Sequence, residues 1–372
     1  MGANDWAVVV GIDTYFDSSL PPLKGPENDA RAFYDWVIAA DGGDVPQDQA
    51  LLVLSSKFPR PFASLQDAKP TVNEIVALFD TLRARAAANA ENPDIGYHVG
   101  DRVYLFFAGH GFAPSHRQDQ TALLVADADT NAGQLAHVLG TYMADTLYFL
   151  RLFDEVFLFM DCCRSSSECA QLFMPYGEDT APDFHKVRRF YAYGARAGKE
   201  ARERDFGDGN FHGVFTRTLL DGLRGAAYDP EDPSNITAES LQNLLYNAYP
   251  DHMDPALRAD PDVPNEPEVV YERKPPKKLV VAAAPSMTML AKLKSFAGVA
   301  TVPKFKVTIR TTKHAGKEAQ ILDKTLEPVK TIALEVENAL ELDRGIYALF
   351  VDGAPPKKFE VTGASGGVDV EL

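Results

Sequence analysis

The first 250 residues alternate two textures. Short apolar runs at 7–12, 50–54, 102–108, 121–126, 156–160 and 190–194 are separated by stretches whose apolar positions recur at helical spacing, at 28–39, 71–87, 144–153, 213–223 and 237–248. Runs that are apolar at successive positions fit strands buried on both faces, and helices between such strands form the crossovers of a parallel sheet. The pattern therefore predicts an α/β domain, a mostly parallel sheet with helices on both faces. Thr71 followed by Glu74 reads as a capping box at one helix start, and Asn28 or Asp29 stands ahead of "ARAFYDWV" at another.

After residue 250 the texture changes twice. Residues 251–278, rich in Pro and charge, read as the start of a connector that runs to about 302. Beyond 303 the period becomes two, in "KFKVTIRT", "TIALEVEN", "GIYALFVDG", "KKFEVTG" and "GVDVEL". This predicts a small all-β domain over 303–372, sandwich-like and without a catalytic constellation, suited to an interaction or regulatory role. The division is then 1–250, 251–302 and 303–372. The mildly apolar stretch 279–300 is broken by Pro285, Lys292 and Lys294, which disqualifies it as a membrane span.

Charge narrows the partners. The chain carries 37 basic and 53 acidic residues, a formal net charge of -16, with no long basic cluster. That argues against nucleic acid and favours a cationic substrate or partner. The three cysteines, Cys162, Cys163 and Cys169, crowd into eight residues, which is no disulfide framework and fits a reducing compartment. The opening "MGANDWAVVVGID" has no basic leader region, so a cytoplasmic location is expected.

Two predicted strand ends carry reactive groups. "VYLFFAGHG" ends in His110 and Gly111, and "VFLFMDCC" ends in Asp161, Cys162 and Cys163. Strand side chains alternate faces, so Asp161 and Cys163 point one way and Cys162 the other. In an open parallel sheet such ends converge on one crevice. A cysteine nucleophile needs a base to supply thiolate, and a histidine 53 residues upstream can provide it. Taken singly, a His-Gly pair also suits a turn, and a cysteine also suits a packed core.

Four ordered motifs carry a resemblance: "GHG" at 109–111, "DCCRSS" at 161–166, "AVVVGIDTYFDSSLPPLKGPENDARAFYDWV" near the N-terminus, and "EARERDFGDGNFHGVFTRTLLDGLRG" at 200–225. Over about residues 5–250 the chain resembles the caspase-like clan of cysteine peptidases, particularly metacaspases and their prokaryotic relatives. The resemblance implies Cys163 as nucleophile, His110 as general base and acid, and the N–H groups of Gly111 and Cys163 as oxyanion donors. Cys162 fills the variable slot before the nucleophile, and Cys169 has no assigned role. Caspases carry glutamine two positions before the nucleophile, whereas this chain has Asp161; Asp29 matches the second pocket acid of metacaspases, with helix capping as its rival role. Two pocket carboxylates imply cleavage after Arg or Lys.

The resemblance also implies protein or peptide substrates with basic residues at the cleaved position, no obligatory cofactor, and no metal ligands among the site residues. Calcium dependence is a weaker implication, resting on Asp127, Asp129 and Asp145. Arg164 is caspase-like where metacaspases usually carry histidine. The segment after the nucleophile is where relatives are cut into two subunits, and Lys186, Arg188 and Arg189 are its basic candidates for self-cleavage in a zymogen. An activating protease, or a regulatory partner of the β domain, would complete that picture. Two other readings stand beside it: a gated or inactive caspase-like scaffold, and a cysteine hydrolase of a non-peptide amide.

Overall fold

The computed structural model describes residues 2–167, 172–177, 180–207, 209–258, 266–272, 277–285, 305–322, 328–342, 345–361 and 368–372. Six strands make the central sheet: β1 (Trp6–Gly11), β2 (Ala50–Leu54), β3 (Gly100–Ala108), β4 (Phe153–Asp161), β5 (Arg188–Tyr193) and β6 (Glu268–Tyr271). Their order is β6-β5-β4-β3-β1-β2, parallel throughout except for β6, which runs antiparallel to β5.

The alternation of strand side chains sorts the core into two layers. Val103, Leu105 and Phe107 of β3, with Val156, Leu158 and Met160 of β4, meet Ile75, Phe79 and Leu82 of α2 (Val72–Asn89) and Met143 and Leu147 of α3 (Gly140–Phe149). Tyr104, Phe106, Phe157 and Phe159 meet the opposite layer: Phe33 and Trp36 of α1 (Pro26–Ile38), Phe215 and Leu219 of α4 (Val214–Asp221), and Leu241 and Leu245 of α5 (Ala238–His252). The capping box forms at α2, where the Thr71 N–H donates to Glu74 and the Thr71 hydroxyl accepts from the Asn73 N–H.

Several expectations are corrected. The apolar run 121–126 forms the short strand Ala122–Leu124, which joins a small four-stranded mixed sheet rather than the central one. The helix expected over 144–153 lies four residues earlier, because Phe153 opens β4 and Val156, Leu158 and Met160 are spaced for a sheet face. The segment read as a connector contributes structure to the first unit. Within it β6 extends the central sheet, and Val280–Ala283 pairs with Asn235–Thr237. Prolines and charges flanking these short strands mask their period. Accordingly the chain divides into compact units of 1–290 and 291–372 rather than at 250 and 303.

In the second unit, strands 305–310, 337–342 and 368–371 form one sheet, and 318–322, 328–333, 345–351 and 357–361 form another. Val307, Ile309, Ile321, Leu349, Phe359 and Val361 build the core of this sandwich. "TIALEVEN" is divided between two strands, with the buried Leu334 in the turn between them. Among the described residues no helix is long and apolar enough to cross a membrane.

A chain ending at residue 290 is expected to remain soluble with a cooperative melt, while one ending at 252 aggregates. The shorter chain loses Leu279 and Val281 from the core, and it strips the buried Tyr104 hydroxyl of its acceptor, the Val281 carbonyl at 2.7 Å. Size exclusion and thermal melts compare the two; a monodisperse, cooperatively folded shorter chain would remove β6 from the folding unit.

Candidate active site

The site follows from the register of β3 and β4. The two strands pair in parallel from Gly100 with Phe153 to Ala108 with Asp161, so partners differ by 53 positions (161 − 108). The same offset separates His110 from Cys163 (163 − 110), so the two residues leave the sheet at corresponding points. The ladder ends with the Gly109 N–H donating to the Asp161 carbonyl at 3.2 Å.

The paired cysteines part company here. Cys162 is buried among the side chains of the α2/α3 layer, and burial pushes its thiol far up. Cys163 is half-buried, with Sγ 3.8 Å from the Ala201 carbonyl, and burial raises its thiol too. Cys169 lies outside the described residues.

His110 is held at three points. Its backbone N–H donates to the Tyr15 hydroxyl at 2.7 Å, its ring lies 4.9 Å from the Tyr15 ring, and Nε2 is 2.9 Å from the Pro21 carbonyl. A carbonyl can only accept, so Nε2 carries the proton and Nδ1 keeps the lone pair of a base. Burial lowers the imidazole pKa, with the Pro21 bond opposing it, so the ring is neutral at pH 7. Gly109 has φ of +155°, and a Cβ there would stand 2.7 Å from the Tyr15 hydroxyl, which is why glycine precedes the histidine. Of the other histidines, His98 pairs with Asp154 at the opposite end of β4, and His212 pairs with Asp29.

Two N–H groups suit a developing oxyanion. The Leu124 N–H bonds the His110 carbonyl at 2.8 Å, so by ladder alternation the next N–H, that of Gly111, points away from strand 122–124. The Cys163 N–H has no acceptor among the described residues.

Asp29 and Asp161 come together around Gly213. Asp29 is 2% exposed: Oδ1 meets His212 Nδ1 at 2.8 Å and Oδ2 accepts the Gly213 N–H at 2.8 Å. It does not cap α1, whose N-cap is Gly25. Asp161 is 8% exposed, and its Oδ2 accepts from the Thr216 N–H at 3.0 Å and hydroxyl at 2.6 Å. Oδ1 of Asp161 has no hydrogen-bond partner among the described residues. Burial raises Asp29 to about 7, with Asp161's charge adding to the rise, and burial raises Asp161 to about 6. Pairs of buried like charges of this kind mark functional sites.

Sequence reasoning missed a third acid. Glu203 accepts the Gly25 N–H at 2.8 Å, so it caps α1 from outside, and its charge bears on both Asp161 and His110. Its only sequence signal is a place in the charged run "EARERD". Tyr15, Pro21, Thr216 and His212 were missed as site-builders likewise, since each acts through the tertiary fold.

Arg164, next to the nucleophile position, is 2% exposed and bonds Glu268 of β6 at 2.6 Å and the Ala195 and Gln118 carbonyls, with its guanidinium 4.3 Å over the Tyr193 ring. Arg188 and Arg189 lie inside β5, Arg188 beside Glu155 and Arg189 on Asp145 and Glu272. Two of the acids implied for calcium are engaged within the protein. Asp145 is taken by Arg189 and Tyr191, Asp129 accepts the Ala132 N–H, and among the described residues no three acids, histidines or cysteines gather as a metal site.

A family model described as the caspase domain matches residues 4–248. A curated protein described as a probable protease, from a Desulfuromonadales bacterium, is 26% identical over 226 residues, 59% of this chain and 26% of that protein. The chain thus spans about a quarter of that relative's length. Among solved structures, caspase-1 from Spodoptera frugiperda has a TM-score of 0.43 at 11% identity, covering 72% of this chain and 86% of that one. The structure of pro-sf-caspase-1 has a TM-score of 0.41, also at 11% identity, covering 72% and 91%.

Because the resting thiol is raised and the resting imidazole lowered, the pair is neutral at pH 7. Iodoacetamide is expected to label Cys163 ahead of Cys162, at a rate that climbs as pH passes the ordinary thiol value of about 8.5. Tandem mass spectrometry on the Cys162→Ala and Cys163→Ala proteins reads the site; faster labelling at Cys162 would reverse the two assignments.

Proposed function

The chain belongs to the caspase-domain family, and on that premise we propose that it is a cysteine endopeptidase cutting after Arg or Lys. The observation that carries this reading is the shared 53-residue offset of the β3–β4 ladder and of the pair His110 and Cys163. In the reaction, Nδ1 of His110 takes the Cys163 proton as sulfur attacks the scissile carbonyl. The N–H groups of Gly111 and Cys163 stabilise the oxyanion. His110 then gives its proton to the leaving amine, and water, activated by the same imidazole, hydrolyses the thioester. No metal or organic cofactor is required by these steps.

The open Asp161 Oδ1 supports the basic specificity. A carboxylate oxygen that no protein donor occupies can receive a substrate guanidinium or ammonium, which supplies donors and charge together. Asp29, filled by His212 and Gly213, contributes field rather than an open oxygen, and Glu203 adds to that field. An aspartate at the cleaved position would meet like charge.

Self-processing is constrained by the same specificity. Residues 165–185 contain no lysine or arginine. Arg188 and Arg189 belong to an interior strand of the central sheet, which leaves Lys186, with its side chain 59% exposed, as the first accessible basic residue after the nucleophile. We infer that self-cleavage in this region falls after Lys186.

A fluorogenic tetrapeptide series varying only the residue before the cleaved bond tests the pocket, with Cys163→Ala as the inactive control. Arg is expected to exceed citrulline by more than about tenfold, given roughly 1.5–3 kcal/mol per charge-assisted hydrogen bond. Preference for Asp would return the protein to caspase-like specificity. Asp161→Asn should raise KM and lower kcat for Arg substrates yet keep both Thr216 bonds.

The same variant has a stability signature. With a folded pKa of about 6 against the ordinary 3.8, Asp161 binds more protons folded than unfolded between those values. Wild-type stability therefore falls as pH rises through that window, and Asp161→Asn removes that part of the fall. Melting temperatures at pH 4.5 and 7.5 check it; an identical slope in both proteins would place the Asp161 carboxyl in water.

Intact mass spectrometry of the active enzyme and of Cys163→Ala, incubated at equal concentration, is expected to show a break within 165–189 only after Lys186 and only in the active enzyme. Active-enzyme fragments ending elsewhere in 165–189 would overturn this assignment.

A further inference from the structure

We propose that the segment linking β1 to α1 is the positioning element for the base, with Tyr15 as its working contact. This rests on His110 serving as the base of Cys163. The Tyr15 hydroxyl does two jobs at once: it accepts the His110 N–H at 2.7 Å and donates to the Ile12 carbonyl at 3.0 Å. It thereby ties the backbone just past β3 to the backbone just past β1. Its ring, 7% exposed, covers the imidazole.

Six residues on, the same segment presents the Pro21 carbonyl to Nε2, which fixes the tautomer. The far side of the segment is pinned by Asp17, which accepts from the Thr130 N–H at 2.7 Å, Asn131 Nδ2 at 2.9 Å and the Ser19 N–H at 2.8 Å, and also from the Thr130 hydroxyl. Phe16 and Leu23 are stitched by backbone bonds to Ala126 and Asp13. One loop thus holds the main chain, ring face and protonated nitrogen of His110. Burial keeps the Tyr15 hydroxyl protonated, so it acts as a fixed polar link, and Glu203 is the charged group whose field reaches the imidazole.

Tyr15→Phe keeps the ring and deletes the link, leaving the His110 N–H and Ile12 carbonyl without their partner. In the full chain, kcat for an Arg tetrapeptide is expected to fall about tenfold to a hundredfold, because small displacements of a catalytic group cost rate. KM should stay within about twofold, since the hydroxyl does not touch the pocket acids. Loosening the loop admits water to the imidazole, and burial is the larger influence on it, so the acid limb of kcat should move up toward the ordinary histidine value of about 6.5. Asp17→Ala, which frees the loop at its other end, should shift kcat and the limb in the same direction by less, and it carries the test if Tyr15→Phe does not fold.

Wild-type kcat in Tyr15→Phe overturns the proposal, as does a lower kcat with an unmoved acid limb, which would mark a structural role alone. His110→Ala separates the two levels. If that variant retains wild-type turnover, the dyad itself fails and this inference with it. If it loses turnover while Tyr15→Phe keeps it, only the role of Tyr15 fails.

Discussion

Everything at the site depends on β3 and β4 staying in one register. A parallel ladder is a one-dimensional constraint: once Val103 lies against Val156, every later pair is set, and the two chains leave the sheet with His110 opposite Cys163. A slip by one residue would turn Asp161 and Cys163 toward the α2/α3 layer and present Cys162 instead. The aromatic packing opposes such a slip. Phe106, Phe157 and Phe159 face α1, α4 and α5, while Phe107, Leu158 and Met160 face α2 and α3, so both faces of both strands read the register at once. The hydrophobic core is thus the device that aligns His110 with Cys163.

Against that alignment the pocket holds groups the core alone would not tolerate. Three acids, Asp29, Asp161 and Glu203, lie near one another in a chain already strongly acidic. Backbone and hydroxyl donors offset part of the cost: Gly213 and His212 for Asp29, Thr216 for Asp161, and Gly25 for Glu203. Gly213 permits the approach, since a Cβ there would fall 1.9 Å from Asp161 Oδ2. What is left is one carboxylate oxygen without a protein donor among the described residues and a raised pKa on two acids.

Much of this was legible in the sequence, for physical reasons that also explain the rest. Long strands buried on both faces announce themselves, so β1 to β5 and the helices between them could be read from periodicity. The side-chain alternation after Met160 distinguished Cys163 from Cys162. Asp29 was ambiguous because a first-turn acid looks alike whether it caps a helix or reaches across to another element; the contact with His212 and Gly213 is invisible along the chain. Glu203, Tyr15 and Pro21 act through residues about 90 to 180 positions away, and no local pattern encodes such distances. Short strands such as β6 lack enough residues for a period to emerge from flanking prolines.

Arg164 explains why that short strand belongs to the site. Its guanidinium is enclosed, and a buried cation is tolerable only with its charge matched; both terminal nitrogens find acceptors, while Nε has none among the described residues. Glu268 supplies the charge from β6, the Ala195 carbonyl receives a donor just past β5, Gln118 receives another from the loop before strand 122–124, and Tyr193 supplies a π face. The Arg164 backbone adds two more ties, donating to the Lys199 carbonyl and accepting from the Gly198 N–H. Six contacts therefore converge on the residue that follows Cys163, which gives the turn at Cys163 a fixed floor. The edge strand is in this sense part of what holds that turn: without the carboxylate of Glu268 the guanidinium would be drawn toward water, and the turn that carries Cys163 would move with it.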